Sequence, residues 1–225
     1  IAHIHSMFDG IDGFPLPKKL QRQFWVIQTL YDQQWQMYSE RKHSVEDRIV
    51  SIHQPHVRPM VRNKAGTKVE FGSKLHLSLV DGFAFVDTIS WDAFHEGVRL
   101  PEYVENYKRR FGFYPQRVLA DQLYCSRVNR KWLKERGIKL AARPLGRPSA
   151  QAVANHVSPG ERNPIEGKFG QAKTGYGMNR IRARLRHTSQ SWIAAIILVL
   201  NLVKLAGQAP LYLSFSAQRQ LMVIS

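Results

Sequence analysis

The sequence predicts a mixed α/β fold, and three observations carry that expectation. Val69, Phe71, Leu75, Leu77 and Leu79 alternate with polar residues, which is the period of a half-buried strand; Asp81-Gly82 and Phe83–Ile89 then supply a hairpin turn and a returning strand. Leu20, Phe24, Ile27, Tyr31, Gln34, Trp35 and Tyr38 recur at three and four, the period of an amphipathic helix. Short apolar runs at Arg117–Asp121 and Ile138–Ala142 alternate with helical stretches, as in a sheet covered by crossover helices.

Composition narrows the class. The chain has 225 residues, of which 44% are hydrophobic, so it can bury a core. Its net charge of +16 is clustered and points to a polyanion, either nucleic acid or an anionic membrane. The one cysteine, Cys125, excludes an intramolecular disulfide; it is expected to be a small buried residue in a reducing compartment, the cytoplasm. The chain starts Ile1-Ala2-His3 and is expected to be the middle of a longer gene product. The apolar run from Trp192 to Leu200, extended to Ala206, falls short of the roughly 20 residues a bilayer needs. Asn201 and Lys204 interrupt it, so a buried core helix is expected and no membrane partner.

In chain order, Gly10, Gly13, Pro15 and Pro17 mark residues 1–17 as an irregular lead-in. Lys18–Arg41 has neither Gly nor Pro and reads as the amphipathic helix, its aromatic stripe expected to be packing. Arg48–Ile52 reads as a short β piece, and the basic, Pro-broken segment from His53 to Lys64 as an extended loop. His53 and His56 lack a Cys or third His nearby and make a poor metal site. Arg58, Arg62 and Lys64 are better read as phosphate contacts, with a solvated loop as the alternative. Asp81 and Asp87 have plain readings, as turn and strand-end residues. Pro101–Arg110 is expected to be a helix. Arg117–Asp121 is a short strand ending in a carboxylate, and open α/β sheets place functional groups at the carboxyl ends of strands. Asn129–Arg136 reads as a basic helix capped by Gly137, and Arg143–Gly160 as a loop. Ser191–Ala206 is the closing helix, and the tail from Gly207 to Ser225 has no clear pattern.

Residues 162–173 stand out. Asn163-Pro164 is a helix-start signal, with Glu166 in the first turn and Lys173 two turns on along nearly the same face. Between Arg162 and Arg186 there are seven Lys/Arg and one acid, Glu166, a pattern that suits a metal ligand working beside phosphates. Asn163 with Glu166 also fits a capping box, and spacing by itself leaves both readings open.

The segments Asp47–Pro59, Val69–Lys74, Ser90–Ala93, Tyr114-Pro115, Val118–Asp121, Lys134–Ile138, Leu145–Pro148, Ile165–Gln171 and Asn201–Val203 occur in the order found in bacterial insertion-sequence transposases of the DDE type. Over roughly residues 15–206 the chain resembles that family, in its insertion-sequence-five-like branch. The resemblance implies a ribonuclease H-like catalytic domain over 48–206, a helical insertion segment over 1–47 and a tail over 207–225. It implies that Asp121 is the second catalytic carboxylate and Glu166 the third. The family signature Tyr-x-x-Arg-x-x-x-Glu-x-x-x-x-x-x-Lys falls on Arg162, Glu166 and Lys173, with Pro159 at the Tyr position. No residue matches the family's first Asp, and the expected first strand is missing, so a truncated and inactive copy is expected.

The implied chemistry is metal-dependent cleavage and strand transfer at transposon ends. Two Mg²⁺ or Mn²⁺ ions about 3.5–4 Å apart activate the nucleophile and stabilise the leaving oxygen. Asp121 and Glu166 are the implied ligands, and the two-metal site needs the first Asp as well. Double-stranded DNA is the implied partner, held by Arg58, Arg62, Lys64, Arg162, Lys168, Lys173, Arg180, Arg182 and Arg184, with Arg186 beside them. A homo-oligomer associated with the nucleoid is the implied active form. A non-catalytic DNA-binding fragment that regulates a full-length transposase is the second reading. A basic RNA-binding protein of the translation machinery is the third, and it gives Asp121 and Glu166 no role.

Overall fold

The computed structural model describes residues 2–9, 11, 13–61, 69–142, 159–208 and 221–224; at 2, 4, 159–162 and 221–224 it describes the backbone. The chain divides into two compact units, one of residues 1–73 with 184–186 and one of residues 74–183 with 187–225.

In the first unit, α1 (Ala2–Phe8) and α2 (Lys18–Ser39) precede a two-stranded antiparallel ribbon of β1 (Arg58–Val61) and β2 (Val69–Gly72). Phe14 and Phe24 pack ring to ring at 5.7 Å, with Phe8 and Trp25 against them. Three sequence expectations change here. Residues 2–8 are helical instead of irregular. Arg48–Ile52 forms no strand, and the strand falls inside the supposed loop at Arg58–Val61, where Pro59 is tolerated because a two-stranded ribbon has open edges. The stripe on α2 is not core: Leu20, Ile27, Tyr31, Trp35 and Tyr38 are exposed, and Met37 is the buried residue of the helix.

The second unit is a five-stranded mixed sheet. In chain order it contains β3 (Lys74–Val80), β4 (Phe83–Ser90), a 3₁₀ turn at Glu96–Arg99, α3 (Leu100–Phe111) and β5 (Arg117–Leu119). A second 3₁₀ turn at Gln122–Tyr124, α4 (Arg127–Glu135), β6 (Lys139–Ala141), α5 (Pro159–Thr174), α6 (Arg186–Gln208) and β7 (Leu221–Ile224) complete it. The expected long strand from Val69 to Leu79 is two strands broken at Ser73, each with its own partner. The β3–β4 turn is as expected, with both Asp81 and Gly82 at positive φ (50° and 76°), the backbone a tight hairpin requires.

Strand order is β4-β3-β7-β5-β6. β7 therefore holds the centre, antiparallel to β3 (Leu79 opposite Val223) and parallel to β5 (Leu119 opposite Val223). The expectation of a patternless tail is overturned. Four apolar residues after a helix carry little periodicity of their own, and only flanking strands give them a structure.

Neighbouring residues of each strand point to opposite faces, and two cores result. On one face Val80, Val118 and Ala120 pack with Leu100, Tyr103, Val104 and Tyr107 of α3 and Leu133 of α4. On the other face Leu77, Leu79 and Leu119 pack with Ile165 and Ala172 of α5 and Ile196, Ile197 and Leu200 of α6. Asn201 of α6 bonds both backbone groups of Ala84, donating to its carbonyl at 2.7 Å and accepting from its N–H at 2.8 Å. The polar break in the apolar run is thus a clamp between helix and sheet edge. α6 itself has 23 residues and is long and apolar enough to cross a membrane, unlike the shorter run read from sequence. It buries Ile193, Ile196, Ile197 and Leu200 and exposes Trp192, Leu198, Leu202 and Val203, so it is a core helix on one face only.

Candidate catalytic site

Asp121 follows the carboxyl end of β5, the central parallel strand beside β7. The preceding residue, Ala120, is fully buried and donates its N–H to the Ala141 carbonyl at 3.2 Å, which fixes where the strand ends. Asp121 is exposed and caps the 3₁₀ turn Gln122–Tyr124, its Oδ1 accepting from the Gln122 N–H at 2.7 Å.

That turn is held on several sides. Asn129 Nδ2 donates to the Tyr124 carbonyl at 3.0 Å and to the Gly97 carbonyl at 2.6 Å. A side chain at Gly97 would put its Cβ 2.5 Å from the Leu123 carbonyl oxygen, so only glycine allows the two 3₁₀ turns to touch. The Tyr124 hydroxyl donates to Glu96 Oε2 at 3.1 Å and lies 3.0 Å from His76 Nε2; Glu96 Oε1 is 2.9 Å from Lys74 Nζ. The chain of groups continues through Asp87, which meets His76 Nδ1 at 3.3 Å, the Ser78 hydroxyl and Arg110 Nη1 at 2.9 Å. The His76 ring stacks on Tyr103, with centroids 3.6 Å apart. Burial, reinforced by Glu96, pushes the Tyr124 phenol far above its usual range, and burial pushes Tyr103 up to about 12, so both stay protonated.

Sequence reading missed this network. His76 and Ser78 sit in the polar phase of the alternating strand, which a half-buried strand turns away from the core. α3 covers that face, so both are buried, and Asp87 is an internal acceptor of β4, not a plain strand-end residue. No local signal marked it, because its partners, His76 and Ser78 of β3 and Arg110 of α3, lie on other elements.

Glu166 is exposed, on α5. The helix begins at Pro159, so Pro164 lies inside it and Asn163 is not its cap. Glu166 is therefore past the first turn, and the capping-box reading does not account for it. Its neighbour Ile165 is buried in the same core cluster as Leu119, two residues before Asp121. α5 and β5 thus contribute to one core on the same face of the sheet.

The cationic candidates fall into groups. Lys173, Arg180, Arg182 and Arg184 are exposed, Lys173 in the last turn of α5. Lys168 is half-buried, and desolvation, with Lys204 nearby, lowers its pKa. Arg58 is engaged within its own unit, donating to the Pro55 carbonyl at 2.6 Å and pairing with Asp47 at 3.2 Å. Arg62, Lys64 and the Arg162 side chain lie outside the described residues. Among the described residues no group of three or more His, Cys, Asp or Glu is arranged to hold a metal ion.

A mixed sheet with helices on both faces, an acid at the end of a central strand and a second acid on a helix that shares that strand's core define the class: an α/β protein with a carboxylate-bearing sheet edge. Within that class, residues 118–203 match the family model described as Transposase DDE domain, from inside β5 into α6. The resemblance to DDE transposases is supported over that stretch, which holds both Asp121 and Glu166. Neither a curated protein nor a solved structure matches the chain.

Proposed function

We propose that this protein is a DNA transposase whose second unit is a ribonuclease H-like DDE domain acting on duplex DNA. The carrying observation is an exposed Asp121 just past the end of β5 together with an exposed Glu166 on α5, where the preceding residue, Ile165, joins the same core cluster as Leu119 of β5. The strand arrangement supports the reading as well: β7 runs parallel to β5 at the sheet centre, where a first, carboxylate-bearing strand is expected.

The donor set suits a hard divalent cation in kind, since both groups offer carboxylate oxygens. It is short in number. The sequence of β7, Leu221–Ile224, contains no acid, and the resemblance assigns Asp121 and Glu166 as the residues that would hold Mg²⁺ or Mn²⁺. Bound there, a divalent ion would supply charge stabilisation at a phosphodiester. The residues themselves set the geometry: the Gln122 N–H orients the Asp121 carboxyl, and the Tyr124–Asn129–Glu96 contacts hold its turn. Lys173, Arg180, Arg182 and Arg184 would meet phosphates. The partner would be transposon-end and target DNA in the cytoplasm, with several copies assembling on it.

The absence of an acid in β7 favours a second reading, a DNA-binding chain without catalysis. A nicking assay on terminal-repeat duplex with Mg²⁺ or Mn²⁺ separates the two. The transposase reading expects cleavage that chelator abolishes and that Asp121→Asn or Glu166→Gln lowers at least about 100-fold, the scale of removing one essential charge-stabilising group. DNA binding without cleavage, unaffected by chelator, selects the second reading.

A further inference from the structure

The carboxyl end of α2 has two features that the duplex-binding surface does not use. Trp35 and Tyr38 are 58% and 77% exposed, with ring centroids 6.0 Å apart and planes tilted by 39°. Beside them opens a cavity of about 880 Å³, with Tyr38, Arg41, Lys42, His43, Arg48 and Gln34 in its wall. Its charged lining is all basic. Glu40, the acid next to Arg41 in the chain, pairs with Lys42 at 2.8 Å and leaves Arg41 and Arg48 uncompensated by it. Arg48 donates through Nη1 to the His43 carbonyl at 3.1 Å, while its Nε is shut from solvent without a hydrogen-bond partner.

Cations after the last turn of a helix complement its dipole, and that accounts for Arg41 and Lys42. It does not account for two large aromatic rings left in water next to them. Exposed rings beside a basic groove are the recognition chemistry of unpaired nucleotides: bases stack on the rings, and the groove follows the phosphates. A duplex hides its base faces and gains nothing from the rings. We propose that Trp35, Tyr38 and the adjoining basic cavity form a single-stranded DNA site that takes unpaired nucleotides. This rests on the DNA reading above and adds a part of the chain that the catalytic unit does not contain.

The test is fluorescence anisotropy of the full chain with a labelled 12-nucleotide oligo(dT), the equal-length duplex, and anionic phosphatidylglycerol vesicles. The double variant Trp35→Ala/Tyr38→Ala changes exposed residues, and circular dichroism verifies its fold. Stacking is worth roughly 5- to 150-fold per base in affinity, so oligo(dT) binding should weaken by at least about tenfold while duplex binding stays within twofold. Arg41→Gln should lower the slope of log affinity against log salt for oligo(dT) by about 0.7. An equal loss for both DNAs, no loss for oligo(dT), or a loss confined to vesicles overturns the proposal. Failure of the wild-type chain to bind either DNA overturns it together with the transposase reading, whereas intact duplex binding without oligo(dT) binding sinks this site alone.

Discussion

His76, Ser78 and Arg110 converge on the Asp87 carboxylate, whose side chain has no solvent exposure. Removing the acid leaves a half-exposed cation and two buried polar groups without their acceptor. Asp87→Ala should therefore destabilise the second unit by about 3 kcal/mol, the scale of breaking a buried pair, read as a shift in the urea midpoint. Arg110 is 27% exposed and keeps some hydration, so Arg110→Met should cost clearly less. A second residue gives pH dependence. His56 has its pKa lowered from 6.5 by burial first and then by Arg186, Arg58 and Arg22. Its folded value is below its unfolded value, so the fold prefers the neutral ring. The unfolded chain takes up the proton first, and stability falls as pH drops below about 6.5. The melting temperature should decline between pH 7.5 and 5.5, and His56→Gln should flatten that decline. An unchanged slope in the variant would show that other groups set it.

Elements decide more than residue types do in two places. Pro164 inside α5 removes the N–H that would bond the residue-160 carbonyl and crowds that turn. Pro164→Ala should raise stability by about 1–3 kcal/mol. A neutral result would instead mean that the helix effectively starts at Asn163, where proline is harmless in the first turn. β7 has a neighbour on each side, so its backbone groups are needed twice. Val223 faces both Leu79 and Leu119 in register. Val223→Pro should cost about 3 kcal/mol or more and end cooperative unfolding of the sheet, visible by circular dichroism on heating. Native-like melting of that variant would show that the sheet does not depend on its central strand.

Across the molecule, much of the second unit is legible from residues alone. The hairpin, α3 with Gly112 in the left-handed cap, β5, α4 with Gly137 and β6 all lie within a few residues of where periodicity and caps put them. Burial of Cys125 follows the same logic. The position of Asp121 just past a strand end was also legible. The first unit was read poorly, because an exposed amphipathic pattern such as that of α2 looks the same as a buried one until its partners are known.

Composition and pattern by themselves determined that the chain is α/β, strongly basic and similar to DDE transposases from β5 into α6. Tertiary structure alone decided that the last four described residues form the central strand, that His76 and Asp87 lie inside, and that Trp35 and Tyr38 lie outside. The physical reason is that period and capping are local properties. Which face is covered, and which strand fills a gap in a sheet, depends on elements far away in the chain.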